Sequence, residues 1–147
     1  MAEFTKCSNE KVNKWLEEQI AMCQPESVVW IDGSESQLEA LRAEAVSTGE
    51  LIKLNVEDRT FICTPTEEEA GPINNWMEPS QMYDKLKALY TGAMKGRTMY
   101  IIPYSMGPVG SPFSKIGIEL TDSIYVVLNM NIMTRIGQEV KDVLGTD

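Results

Sequence analysis

The sequence predicts an α/β domain with a mixed β-sheet and flanking helices, and three observations carry that prediction. Segments with apolar residues at helical spacing interleave with short runs rich in β-branched residues. The strand-like runs toward the C-terminus follow one another too closely for helical crossovers, which suits antiparallel neighbours. A chain of 147 residues, 43% of them apolar, buries one ordinary core, so residues 1–147 read as a single domain or as a piece of a larger protein.

The elements follow in order. Ser8 is placed to cap a first helix whose Val12, Trp15, Leu16, Ile20 and Cys23 share one face, and Pro25 stops it. "SVVWI" reads as a short buried strand ended by Asp32-Gly33. Ser34 with Gln37 three residues on forms a capping-box pattern, opening a second helix that buries Leu38, Leu41 and Ala45 and ends at Gly49. "ELIKL" and "RTFICT" are two further strands. The turn-rich stretch 65–75, "PTEEEAGPINN", is a surface loop whose Glu67, Glu68 and Glu69 form a solvated charge cluster rather than a cation site. Pro79 or Ser80 opens a third helix with Met82, Leu86 and Leu89 inward, closing near Gly92. "RTMYIIPY", "IGIEL" and "IYVVLNM" are three closely spaced strands. "NIMTRIGQEVKDVLG" is a terminal helix with Ile132, Ile136, Val140 and Val143 or Leu144 inward and Gly145 as its cap.

Composition excludes several functions. A net charge of −9 repels phosphate backbones and anionic membranes, so no nucleic acid and no membrane partner is expected. No apolar stretch reaches membrane-spanning length and "MAEFTKCSNEK" has no signal-peptide core, so the chain reads as cytoplasmic. Cys7, Cys23 and Cys63 form no C-x-x-C and read as reduced thiols, and the methionines as core filler. With no histidine, the chain builds neither a Ser-His-Asp triad, nor a Cys-His dyad, nor a histidine-ligated metal site. Carboxylates could act only where the fold places them, because no spaced Asp/Glu metal loop occurs.

The stretch "GPVGSPFSK" lacks the G-x-x-x-x-G-K-[ST] spacing of a P-loop, and Pro108 and Pro112 remove two N–H donors from any phosphate nest. It reads as a stiff connection between two buried strands, with Gly107 and Gly110 supplying the tight turns. Arg59, Arg97 and Arg135 read as partners for nearby carboxylates or helix ends.

"KGRTMYIIPYSMGPVGSPFSKIGIELTDSIYVV" followed by "IMTRIG", with "CQPE", "DGSE" and "VEDRTFICTPTEEEAGPINNWM", closely resembles the amino-terminal domain of GTP-dependent phosphoenolpyruvate carboxykinases. The similarity covers nearly the whole chain. It implies the substrate side of an enzyme that converts oxaloacetate and GTP to phosphoenolpyruvate, carbon dioxide and GDP in gluconeogenesis. It also implies a catalytic Mn2+, with Mg2+ riding on the GTP. In the family, the P-loop, the metal ligands and the guanine pocket lie downstream of the stretch matched here. The chain is therefore expected to hold no catalytic residue and no metal ligand, to be inactive alone, and to bind oxaloacetate or phosphoenolpyruvate weakly at most. Its expected partner is the missing carboxy-terminal nucleotide domain. A stand-alone dicarboxylate-binding module and an interaction domain without catalysis are the alternatives.

One departure lies inside the resemblance. In the family a segment like "S-x-P-x-D-V-A-R" runs into "V-E-D-R-T", and its arginine grips the substrate carboxylate. Here "KLN" runs directly into Val56, so Asn55 stands in the arginine's place or a block of residues is missing, and the substrate arginine is absent either way. Glu57 matches a family glutamate that contacts the closing active-site lid, and is the one candidate contact residue; a solvent-facing carboxylate is the plainer alternative.

Overall fold

The computed structural model describes residues 2–54, 60–62 and 78–145. The element order is α1 (Glu10–Cys23), β1 (Ser27–Trp30), α2 (Glu35–Thr48), β2 (Leu51–Lys53), β3 (Thr60–Ile62), α3 (Pro79–Tyr90), β4 (Thr98–Met106), β5 (Lys115–Thr121), α4 (Ile124–Met133), β6 (Arg135–Ile136) and α5 (Gln138–Asp142). The domain is α/β with an open mixed sheet and flanking helices, as the interleaved pattern predicts.

β4 is the centre of that sheet. It pairs in parallel with β1, from Ser27↔Thr98 to Trp30↔Ile101, and antiparallel with β5, from Tyr100↔Thr121 to Met106↔Lys115. Because β5 fills one edge of β4, the short β6 must take the other, pairing Tyr104↔Ile136 and Ser105↔Arg135 beyond the end of β1. β1 and β6 thus share one lane, end to end. This arrangement explains a proline in a central strand. The carbonyls of Ile101 and Pro103 both face that lane, accepting from Ile31 N and Gly137 N. The N–H that Pro103 lacks would point into the gap between β1 and β6, where no ladder bond is lost.

Alternation along β4 sends successive side chains to opposite faces. Tyr100 and Ile102 pack with Leu38, Leu41 and Ala45 of α2 and Ile124 and Val127 of α4. On the other face Met99 packs with Ile20 and Cys23 of α1. Covered on both sides, β4 reads as one continuous apolar run. β5 is an edge strand and half exposed, so the 107–114 connection joins one buried strand to one surface strand rather than two buried ones.

Helix boundaries follow local chemistry. Asn9, one residue past the expected Ser8, caps α1 by accepting from Val12 N at 3.1 Å. α2 starts where Ser34 Oγ accepts from Gln37 N and ends at Gly49 in the left-handed conformation. Pro79 occupies the first turn of α3, as expected, and Glu78 caps it. Of the expected inward residues of α3, Met82 and Leu86 are half-buried but Leu89 is 64% exposed. Trp15 also leaves the buried stripe of α1, which consists of Leu16, Ile20 and Cys23 with Asn13.

Two of the expected elements are overturned as well. Residues 124–130 form the helix α4, not a strand. The physical reason sits outside the segment: Glu50 Oε1, at the α2–β2 junction, accepts from Ser123 Oγ at 2.9 Å and Tyr125 N at 3.1 Å. A carboxylate from elsewhere in the chain thereby caps a run whose own N-cap, Ser123, makes no side-chain cap bond. The expected terminal helix over 131–145 is also broken. Thr134 leaves the helix, Arg135 and Ile136 join β4, and Gly137 turns at φ 108°, leaving only the five-residue α5. Val140 is fully buried as expected, whereas Ile132 is 80% exposed.

Candidate functional site

In open α/β sheets, ligands bind at the carboxyl ends of the parallel strands. Here that place is the Asp32-Gly33-Ser34 turn after β1. Asp32 Oδ1 accepts from Ser34 N at 2.7 Å. Gln37 accepts from Asp32 N at 2.8 Å and donates from its amide nitrogen to Trp30 O at 2.9 Å. The expected capping box is therefore modified: Ser34 plays its part, but Gln37 reaches past the cap to brace the strand end.

From the other side, Gln138 N donates to Asp32 O at 2.9 Å and Gly137 N to Pro103 O at 3.1 Å. A Cβ added at Gly137 would lie 2.2 Å from Asp32 O, and one at Gly33 would lie 2.8 Å from Ile136 O. Two glycines thus let two backbone turns touch. Lys141 Nζ lies 4.1 Å from the centre of the Trp30 ring, closing the rim with a cation–π contact. The polar groups of this strand end are spent on one another. The geometry is a seal, not a pocket.

The 107–114 connection is likewise self-satisfied. Pro108 O accepts from Ser111 N at 3.1 Å, and Ser111 O accepts from both Ser114 N at 3.0 Å and Ser114 Oγ at 2.7 Å. Ser111 Oγ accepts from Phe113 N at 3.3 Å, and Ser105 Oγ donates to Gly107 O at 3.1 Å. Gly107 and Gly110 adopt the positive φ expected of them, 95° and 80°. The loop's amides at 111, 113 and 114 face its own oxygens, which is the stiff connection expected and not an anion cradle.

The arginines divide. Arg97 pairs with Asp122 at 2.7 Å and also donates to Ala93 O, the structural role expected of it. Arg135 is exposed on β6 and makes no ion pair among the described residues. Arg59, Glu57, the Asn55–Val56 junction, Cys63 and the Glu67–Glu69 run lie outside the described residues. The strands flanking the junction pair with each other, Lys53 opposite Thr60.

No group of three His, Cys, Asp or Glu side chains among the described residues is placed to hold a metal ion. An open groove of about 440 Å³ runs beside α1, lined by Lys6, Glu10, Lys11, Asn13, Lys14 and Glu17. Its Lys6 pairs with Glu17 at 2.8 Å, and that hydrogen bond and charge hold the ammonium above its ordinary pKa. The groove presents solvated charges and no acid–base pair. Cys23 is a buried thiol pushed up by burial and then by the Asp122 charge, which makes it unreactive. Among the described residues no helix is long and apolar enough to cross a membrane.

The family model of the phosphoenolpyruvate carboxykinase N-terminal domain matches residues 14–147. This chain belongs to that family. A relative from Anaeromyxobacter sp. (strain K) is 48% identical over 94% of this chain and 26% of its own length. One from Corynebacterium jeikeium is 47% identical over 93% and 26%, and one from Corynebacterium glutamicum (strain R) 42% over 95% and 26%. All three are named phosphoenolpyruvate carboxykinase (GTP). The chain spans about a quarter of the length of these relatives. The first match extends over 157 positions, more than the 147 residues present, so the relative carries positions that have no counterpart here.

The motifs that carry the carboxykinase resemblance gain a structural reason. "DGSE" and "RIG", far apart in sequence, supply the two turns that meet at Gly33 and Gly137. "ELTDS" supplies Asp122 for Arg97 and Ser123 for Glu50. Sequence reasoning missed Glu50, Lys141, the bracing of the β1 end by the Gln37 side chain, and the glycine contact. Only the two glycines left a signal, one following Asp32 and one ending "IMTRIG".

Proposed function

We propose that this chain is the amino-terminal, substrate-side part of a GTP-dependent phosphoenolpyruvate carboxykinase, the cytoplasmic enzyme that turns oxaloacetate and GTP into phosphoenolpyruvate, carbon dioxide and GDP. The observation that carries this reading is the family match over residues 14–147, joined to relatives of that name about four times as long. In such a reaction, bound Mn2+ and Mg2+ supply charge that stabilises an enolate and neutralises the transferred phosphate. The described residues do not fit either ion: there is no histidine, no three-donor group and no amide nest for a nucleotide. Those parts belong to the remainder of the enzyme, and this chain's contribution is scaffold.

The substrate-gripping arginine is absent from the Asn55–Val56 junction, and an asparagine amide replaces neither its charge nor its two-pronged hydrogen bonding. The excess of matched positions over residues in this chain supports a shortened segment. Glu57 is the candidate lid contact. The purified 147-residue chain is expected to show no GTP- and Mn2+-dependent loss of oxaloacetate above the metal-only rate. Turnover above that rate overturns the reading, and saturable heat with oxaloacetate in calorimetry favours the dicarboxylate-binding module instead.

A further inference from the structure

Residues 2–9 precede the family match, which begins at residue 14, and form neither helix nor strand, yet they are tied to the domain along their length. The Phe4 side chain packs against the Ile20, Cys23 and Met99 cluster. Thr5 O accepts from the Trp30 indole N–H at 2.8 Å. Cys7 gives both of its backbone groups to one side-chain amide: its N–H donates to Asn13 Oδ1 at 2.9 Å, and its carbonyl accepts from Asn13 Nδ2 at 2.9 Å. Asn9 is 4% exposed and works in two directions. Its Oδ1 accepts from Val12 N at the start of α1, while its Nδ2 donates at 3.2 Å to Leu144 O, two residues past α5.

α5 has little of its own to hold it. A helix of five residues is far below the length that is stable in water by itself, so its conformation depends on what it is fastened to. Its start is held by the Gln138 N–H on Asp32 O, and its middle by the buried Val140. The rest of the fastening passes through residues 2–9: Asn9 holds Leu144, and Thr5 holds the indole whose ring Lys141 covers at 4.1 Å. The anchors of residues 2–9, in turn, belong to α1 and β4 rather than to α5.

We infer that residues 2–9 are a clasp over α5. While the clasp is closed, α5 and Leu144 stay on the sheet; when it lifts, they open with it as one cooperative unit. Asn9 is the coupling residue, because one buried amide serves both the start of α1 and the segment after α5. The inference is independent of the proposed function.

Native-state amide exchange of the 147-residue chain tests it. Asn9→Ser keeps a capping oxygen for α1 but is too short to reach Leu144, and serine caps as well as asparagine. The amides of Lys141 and Leu144, which donate to Gly137 O and Lys141 O, are expected to exchange about tenfold faster in that variant, with Val12 unchanged. Phe4→Ala removes an anchor that packs on α1 and β4. It is expected to speed exchange at Cys7, Lys141 and Leu144 by a common factor. Unchanged rates at Lys141 and Leu144 in Asn9→Ser overturn the inference. So does Phe4→Ala that leaves either Cys7 or the α5 amides unchanged, since the bond to Leu144 would then be a local contact and not part of a clasp. Acceleration spread evenly through β4 in both variants also overturns it, because the domain would then be opening as a whole.

Discussion

β4 and α4 are two apolar segments of similar length that the chain treats in opposite ways. From sequence, β4 and residues 124–130 of α4 both read as strands. β4 is one, with helices over both faces and partners on both edges. α4 is a helix with one side packed and the other bare. The difference teaches that an uninterrupted apolar run reports burial and not conformation. Conformation at α4 is decided by Glu50, which caps the first turn from another part of the chain. The bare side of α4 and the covered faces of β4 then predict very different responses to substitution.

The largest effect is expected at the centre of the sheet. Ile102 is fully buried between α2 and α4, so Ile102→Ala leaves a cavity and costs about 4 kcal/mol in chemical denaturation. Gly137→Ala forces a Cβ onto Asp32 O at a positive φ, and a loss of about 3 kcal/mol is expected, with detachment of β6 visible as faster amide exchange at Gly137 and Gln138. An unchanged exchange pattern would show that β6 contributes nothing to the seal at the end of β1.

Glu50→Ala removes the tertiary cap of α4 and is expected to cost about 1 kcal/mol. Far-ultraviolet circular dichroism should register a partial loss of helix. If helicity holds, α4 is helical for reasons within its own sequence, and the contrast with β4 fails.

Alkaline pH sharpens the same comparison. Burial, reinforced by the Glu44 and Glu50 charges, raises the pKa of Tyr100 on β4 above its ordinary 10.0, and burial raises Cys23 above 9.0. Each group stays protonated in the fold while its unfolded counterpart ionises. Their contribution is therefore complete below the unfolded pKa and is lost as pH rises toward the folded one. The thermal midpoint is expected to fall from about pH 9 upward. Tyr100→Phe should flatten the part of the fall above pH 10, and an identical slope in that variant would remove Tyr100 from the account.

The smallest effect is expected on the bare side of α4. Ile132→Ser in this chain should change stability by no more than about 0.5 kcal/mol, because the side chain is already in water. A loss comparable to that at Ile102 would mean that the outward face is covered in the isolated chain after all.

Much of the scaffold was legible. Ser34, Gln37 and Gly49 mark both ends of α2 because capping is local chemistry, written within one turn of the helix. The Leu38, Leu41, Ala45 stripe and the β4–β5 hairpin were readable from spacing alone. The candidate site was less so. The chain's own chemistry argued only by absence, with no histidine and no phosphate cradle, while the family came from long motifs around Met106 and Gly137.

By itself, the sequence determined the α/β class, the family, most helix limits and which runs are apolar, because each depends on residues close together in the chain. The tertiary structure alone decided that 124–133 is a helix, that Arg135 and Ile136 leave it for β4, and that Gly33 and Gly137 touch. Those outcomes depend on groups brought together from distant positions: a carboxylate at residue 50, an open lane beside β4, a carbonyl at residue 32. Local periodicity carries no record of them, since the energy that selects them is gained only when the chain has closed on itself.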